Sequence, residues 1–188
     1  MGICAGAGYT ANAAINDPRI KAVGTVSLVN IGQMFRNGWD GSVTDAEAAP
    51  ILEQAAQART TDAAGEDNEF PLAPMNEDDA PNEELRQAWE YYHTPRCEHP
   101  NAPGWMTTRS LSQIITYDAF QKAEAYLAQP LLIIAGSKWM SDDLYERAAS
   151  TDKSRHVVDG ANHMDLYDGE KEVAEAVSKL GPFFSDRL

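Results

Sequence analysis

Apolar residues gather in two stretches of the chain and thin out between them. Gly8 to Asn16 is Ala-rich, with Tyr9, Ala11, Ala14 and Ile15 at roughly helical spacing before the NDPR turn at Pro18, which predicts a short helix. Ile20 to Val29, IKAVGTVSLV, is an almost unbroken β-branched run, the pattern of a strand buried on both faces of a parallel sheet. Towards the other end, PLLIIAG at 130–136 predicts a second buried strand. SDDLYERAAS predicts a helix capped by Ser141, and RHVVDG at 155–160 a third strand. GEKEVAEAVSKLGPFFSDRL from Gly169 predicts a terminal helix with Val173, Val177, Leu180 and Phe183 near one stripe. Strand, helix, strand, helix implies a parallel sheet with right-handed crossovers, and so an α/β fold class.

Between about Asn30 and Gln129 the pattern changes to helical segments separated by Gly, Pro and Asp. TDAEAAPILEQAAQART, PNEELRQAWEYYHT and TTRSLSQIITYDAFQKAEAYLA are the three segments. Thr44 with Glu47, and Asn82 ahead of Glu83 and Glu84, are helix-start signals. Asp62 to Pro81, DAAGEDNEFPLAPMNEDDAP, is too rich in acid, Asn and Pro for a packed element and is expected to be an acidic loop. Trp89, Tyr91 and Tyr92 are expected to pack their helix onto a core. The predicted organisation is a sheet core made of 1–29 and 130–188, with 30–129 as an inserted helical cap.

Charge and composition narrow the function classes. The 188 residues carry 29 Asp and Glu against 15 Lys and Arg, a formal charge of -14. Such a surface repels phosphate backbones and anionic lipid, so neither nucleic acid nor a membrane is an expected partner. No apolar run approaches the roughly 18 residues that a membrane span needs. The two cysteines, Cys4 and Cys97, form no disulfide framework, and a reducing cytoplasm is the expected compartment. Cys97 and His99 have no second pair at zinc-type spacing, and no glycine loop of the phosphate-cradling kind occurs. Neither a metal nor any other cofactor is expected.

The candidate chemistry begins at Gly2-Ile3-Cys4-Ala5-Gly6. A nucleophile between two glycines at this spacing normally sits on a sharp strand-to-helix turn, yet the chain has no evident room for a strand before it. A thiol with an ordinary pKa of about 8.5 becomes a nucleophile with help from a helix N-terminus and a nearby imidazole. A helix starting directly after Cys4 supplies the first and makes the Ala5 N–H an oxyanion donor. His163, in a loop after the third long strand, is the candidate base, whereas His93, His99 and His156 gain no such support.

Taken in order, GICAGAGYTANAAINDPRIKAV, PLLIIAGS and GANHMDLYD resemble the α/β-hydrolase superfamily. Within it they look like the branch containing dienelactone-hydrolase-like enzymes and fungal polyketide transferases. The resemblance implies strands six to eight of a hydrolase sheet with flanking helices and the helical cap, Cys4 as nucleophile and His163 as base. It also implies an acid after strand seven, where this chain has Trp139; Asp142 or Asp143, and behind them Asn30 after strand six, are the candidates to orient the imidazole. Asp165 and Asp168 match a signature that fixes the histidine loop. A small ester, thioester, lactone or acyl compound is the implied substrate. Relatives of this kind carry earlier strands and a second oxyanion donor, so the expected partner is a second copy of the chain or a complementing chain along strand six. The alternative expectation is a non-catalytic interaction module built on the same scaffold.

Overall fold

A computed structural model describes residues 1–65, 68–102, 104–136 and 138–188. The chain divides into two compact units, one formed by Met1–Thr44 with Tyr117–Leu188 and the other by Asp45–Thr116. Residues 30–44 and 117–129 thus lie in the sheet-bearing unit.

The first unit is built on four parallel strands in the order β1 (Gly2–Ile3), β2 (Val23–Val26), β5 (Leu131–Ala135) and β6 (Lys153–Val157). The sequence pattern gave three strands with the Ile20–Val29 strand at the edge. The structure adds β1, two residues paired with Thr25 and Val26, too short to register as a periodic signal. Side-chain alternation along the inner strands separates two apolar layers. Val23, Leu131 and Ile133 face a layer with Ala7, Ala11 and Ala14 of α1 (Ala5–Asn16), Leu127, and Leu144 of α8 (Trp139–Arg147). Val26, Leu132 and Ile134 face the opposite layer with Ala176, Leu180 and Phe183 of α10 (Glu170–Ser185). On α10 the buried stripe runs through Ala176 rather than Val177, which is 60% exposed.

Two helix boundaries differ from expectation for local reasons. Ser141 does not cap α8; the helix begins earlier and Ser141 is buried within it. The 107–128 segment is not one helix. Asp118 accepts the Phe120 N–H and Lys122 takes a left-handed φ of 68°, which leaves a 3₁₀ turn at Thr108–Ser110 and the short α-helices α6 (Leu111–Ile114) and α7 (Ala123–Tyr126) in it.

The second unit holds α3 (Asp45–Ala48), α4 (Pro50–Ala63), α5 (Glu83–His93), α6 and an antiparallel ribbon of β3 (Glu69–Pro71) and β4 (Trp105–Thr107). The ribbon falls partly inside the expected acidic loop, of which Glu66 and Asp67 lie outside the described residues. Asn68 anchors the loop by donating to Thr61 Oγ1 and Asp62 Oδ1 at 2.7 and 2.9 Å. Asn82 caps α5 as its position suggested, accepting the Leu85 N–H at 3.0 Å. Only Ala88 of α5 is buried, however, and Tyr92 is exposed, stacked edge-on against Tyr91. Among the described residues no helix is long and apolar enough to cross a membrane.

Candidate active site

Cys4 stands between β1 and α1 with φ 55° and ψ −131°. For a residue with a Cβ this backbone is strained by of order 1–3 kcal/mol, so the surroundings must hold it. They do so through three main-chain bonds: Cys4 N–H donates to Val26 O at 3.0 Å, and Cys4 O accepts from Ala7 N at 2.9 Å and Val29 N at 3.1 Å. Of the two flanking glycines only Gly2 is demanded by space. A Cβ there would collide with Gly6 O and Thr10 Oγ1, whereas one on Gly6 would meet nothing within 4 Å. Gly2→Ala is therefore expected to lower stability by about 1–3 kcal/mol, the usual range for overpacking, with Gly6→Ala much closer to neutral; urea unfolding of the two variants reads the difference.

The turn places Cys4 at the N-terminal end of α1, with the Ala5 amide in the first turn. That end carries the positive pole of the helix dipole and unpaired N–H groups, which suits an anion forming at the sulfur or on an attacked carbonyl.

His163 belongs to the loop between β6 and α9 (Asp165–Asp168), at the same end of the sheet. Ser27, the residue after β2, ties the two together. Its N–H bonds Ile134 O at 3.1 Å and its hydroxyl donates to His163 O at 3.0 Å, while its neighbour Val26 receives the Cys4 amide. Ser27 is itself strained, at φ 45°. Asn162 and Asp165 shape the loop: Asn162 Oδ1 accepts from Met164 N and Asp165 N, and Asp165 Oδ2 accepts from Asn162 N. Gly136 lets it approach, since a Cβ there would press on Ala161 O and Asn162 O.

The imidazole is 3% exposed. It lies edge-on between the Trp39 ring, 4.9 Å away, and the Tyr167 ring, 5.2 Å away, with Nε2 2.7 Å from the Tyr167 hydroxyl. Desolvation pushes its pKa down to about 4, so the ring is neutral at physiological pH.

The structure thus brings the main chains of Cys4 and His163 to adjacent positions on one strand end, but no hydrogen bond joins the thiol to the imidazole. None of the three candidate orienting residues bonds His163 either. Asp142 forms an ion pair with Arg155. Asp143 accepts from Gln33 Nε2 at 2.7 Å and pairs with Arg147 at 3.4 Å. Asn30, fully buried, donates from Nδ2 to Asp118 Oδ1 at 2.7 Å and accepts the Ala119 N–H at 3.2 Å. Burial opposes the Asp118 charge, yet the Phe120 N–H, Asn30 and Arg147 together hold its carboxyl below the usual range. Residue 137, next to the end of β5, lies outside the described residues.

Ser27, Trp39 and Tyr167 were not singled out by sequence reasoning. Tyr167 carried a usable signal, standing four residues after His163, where a short helix puts two side chains on one face. Cys97 is exposed, and among the described residues no three His, Cys, Asp or Glu side chains gather to hold a metal ion.

No family model matches the chain. It is 66% identical over 193 aligned positions to an uncharacterized protein, YcjY, of Escherichia coli K12, aligning over its whole length with 63% of that protein. An uncharacterized protein of Pseudomonas aeruginosa, PA2218, is 31% identical over 201 positions, with 52% of its length covered. The chain therefore spans roughly half to two thirds of the curated relatives it matches. The crystal structure of PA2218 superposes on the whole chain with a TM-score of 0.85 at 27% identity, covering 60% of that structure. An α/β hydrolase, GrgF, from Penicillium sp. sh18 gives a TM-score of 0.70 at 19% identity, over 99% of this chain and 62% of the other. The chain has an α/β-hydrolase fold.

Proposed function

We propose that this chain, with its α/β-hydrolase fold, supplies the nucleophile and general base of a hydrolase or acyltransferase acting on small carboxylic esters, thioesters or lactones. The observation that carries the reading is the strained Cys4 backbone, pinned at the start of α1 beside the strand end that also holds the His163 main chain. A protein keeps such strain where the surrounding structure fixes it, and functional turns are where it collects.

In this reading His163 Nε2 leaves the Tyr167 hydroxyl and accepts the Cys4 thiol proton. The sulfur attacks the carbonyl carbon, forming a C–S bond and an oxyanion held by the Ala5 N–H. Collapse of the intermediate breaks the bond to the leaving oxygen or sulfur, which takes the proton from the imidazolium. Water, or an acceptor hydroxyl, then attacks the thioester while His163 accepts its proton, and Cys4 regains its hydrogen as the acyl group departs. An orienting group for the imidazole remains with Asp142 or Asp143, each of which would have to leave its present partners, while Asn30 stays committed to Asp118 and Ala119. Because β1 pairs on one side only among the described residues, a second copy or a complementing chain along that edge is part of the proposal. A reducing cytoplasm keeps both thiols free.

The experiment is acyl trapping. Incubation with p-nitrophenyl butyrate, followed by peptide mass spectrometry, is expected to find a butyryl group on the peptide carrying Cys4 and none on the one carrying Cys97. Release of p-nitrophenol at equal rates from the parent and from Cys4→Ala would sink the mechanism.

One observation favours a second reading, a non-catalytic interaction module: among the described residues no carboxylate touches His163. An unmodified Cys4 after prolonged incubation would support that reading.

A further inference from the structure

The Trp39 indole is the feature of this site that the mechanism above leaves unused. Its Nε1–H is buried and has no hydrogen-bond acceptor among the described residues. The edge-on contact of its ring with the imidazole, at 4.9 Å and 70°, offers at best a weak π acceptor. A buried indole N–H normally finds a partner, and leaving one without costs about as much as a lost hydrogen bond.

The chain holds this ring in place by local means. Trp39 lies in a loop that leaves α2 (Ile31–Asn37) through Gly38, at φ 78°, and turns again at Gly41, at φ 77°. Asn37 and Val43 close the loop with a pair of bonds, Nδ2 to Val43 O at 3.0 Å and Val43 N to Asn37 O at 3.0 Å. Gly41 sits directly on the Trp139 indole, so a side chain there would force the loop away. Apolar packing alone would be served by Phe or Leu; an indole held against the base, with its one polar atom unpaired, fits a donor waiting for an acceptor.

We propose that the Trp39 Nε1–H is a substrate-binding donor that takes an oxygen of the acyl group, the carbonyl or carboxylate of a short-chain ester or acid, beside His163. The proposal rests on the acyl-transfer reading for the identity of the ligand, but not on Cys4 for its test. The N–H is shielded from solvent in the free chain, so the ligand oxygen reaches it by displacing protein atoms rather than water. Selection follows: an acceptor oxygen next to a short aliphatic chain satisfies both the donor and the aromatic wall, whereas an alkane-like ligand leaves the donor unpaired.

The test uses the ¹⁵N-labelled chain and butyrate as the probe. Trp39, Trp89, Trp105 and Trp139 each give one indole N–H signal, and Trp39→Phe identifies the first by its disappearance. Trp39→Tyr serves the same purpose should the Phe variant not fold. On titration the Trp39 signal is expected to move downfield, saturate, and move furthest of the four, in the parent and in Cys4→Ala alike. Trp39→Phe is expected to lower kcat/KM for p-nitrophenyl butyrate by about threefold to tenfold, the usual worth of one neutral hydrogen bond. An unmoved Trp39 signal overturns the proposal, whether the other indoles shift or none does. Movement without a Cys4 adduct leaves the Trp39 site standing and removes the catalytic reading; a Cys4 adduct with no movement does the reverse.

Discussion

Stability is expected to fall by roughly 3 kcal/mol through His163 alone as the pH drops from about 6.5 to about 4, at 1.36 kcal/mol for each unit of pKa difference. The cause is desolvation: the ring is 3% exposed, and its pKa is pushed down from 6.5 to about 4. Because the folded-state value is the lower one, the unfolded chain binds more protons throughout that window. The contribution is fully present above 6.5, is lost as the pH falls towards 4, and stops changing below it. Denaturant unfolding at pH 7 and pH 4.5, on the parent and on His163→Leu, isolates this term. His156, paired with Glu175 at 2.6 Å, is common to both proteins and drops out of the difference. The variant should show the flatter pH dependence whatever its stability at pH 7; parallel dependences would mean that the imidazole is hydrated. For the proposed chemistry the same burial keeps the ring in the neutral form that accepts a proton, while making it a weaker base than an exposed histidine.

Long-period features were legible in the sequence, and features set by single contacts were not. The β5 strand announced itself because LLIIA is buried on both faces, and the Asn82 cap because one side chain and one N–H make it locally. The edge strand β1 is two residues long and owes its existence to β2, so no periodicity could reveal it. The 107–128 segment reads as one helix by composition, but Asp118 spends its carboxylate on Asn30, Arg147 and the Phe120 N–H and breaks the run there. The Cys4 turn was visible as a spacing, and His163 as a loop position. Their surroundings were not, because Trp39 and Ser27 reach the histidine from segments more than a hundred residues away in the chain. Asn30 was read as a distant candidate to orient the imidazole; its side chain is instead committed to Asp118.

That commitment makes Asn30→Leu the substitution with the largest expected loss of stability outside the histidine. Asn30 is fully buried, and its amide serves two partners that nothing else replaces: the Asp118 carboxylate at 2.7 Å and the Ala119 N–H at 3.2 Å. Leucine has nearly the same size and neither polar atom. The Ala119 N–H is then buried without an acceptor, and a partly buried carboxylate loses a donor. At about 1–3 kcal/mol for a stranded buried group, and more for a charged one, a loss of roughly 3 kcal/mol is expected by urea unfolding. The Asp118 side keeps Arg147, whose Nη2 donates to Asp118 Oδ2 at 3.0 Å and to Phe120 O at 2.7 Å, so the segment should loosen rather than detach. Adding Asp118→Asn removes the stranded charge, and the double variant should therefore be more stable than the sum of the two single losses predicts. Strict additivity would show that the pair is not coupled. Turnover per folded molecule is the second readout: with Asn30 bonded to Asp118 rather than to His163, ester hydrolysis by the folded fraction should be unchanged. A loss of turnover beyond the loss of folded protein would return Asn30 to the imidazole.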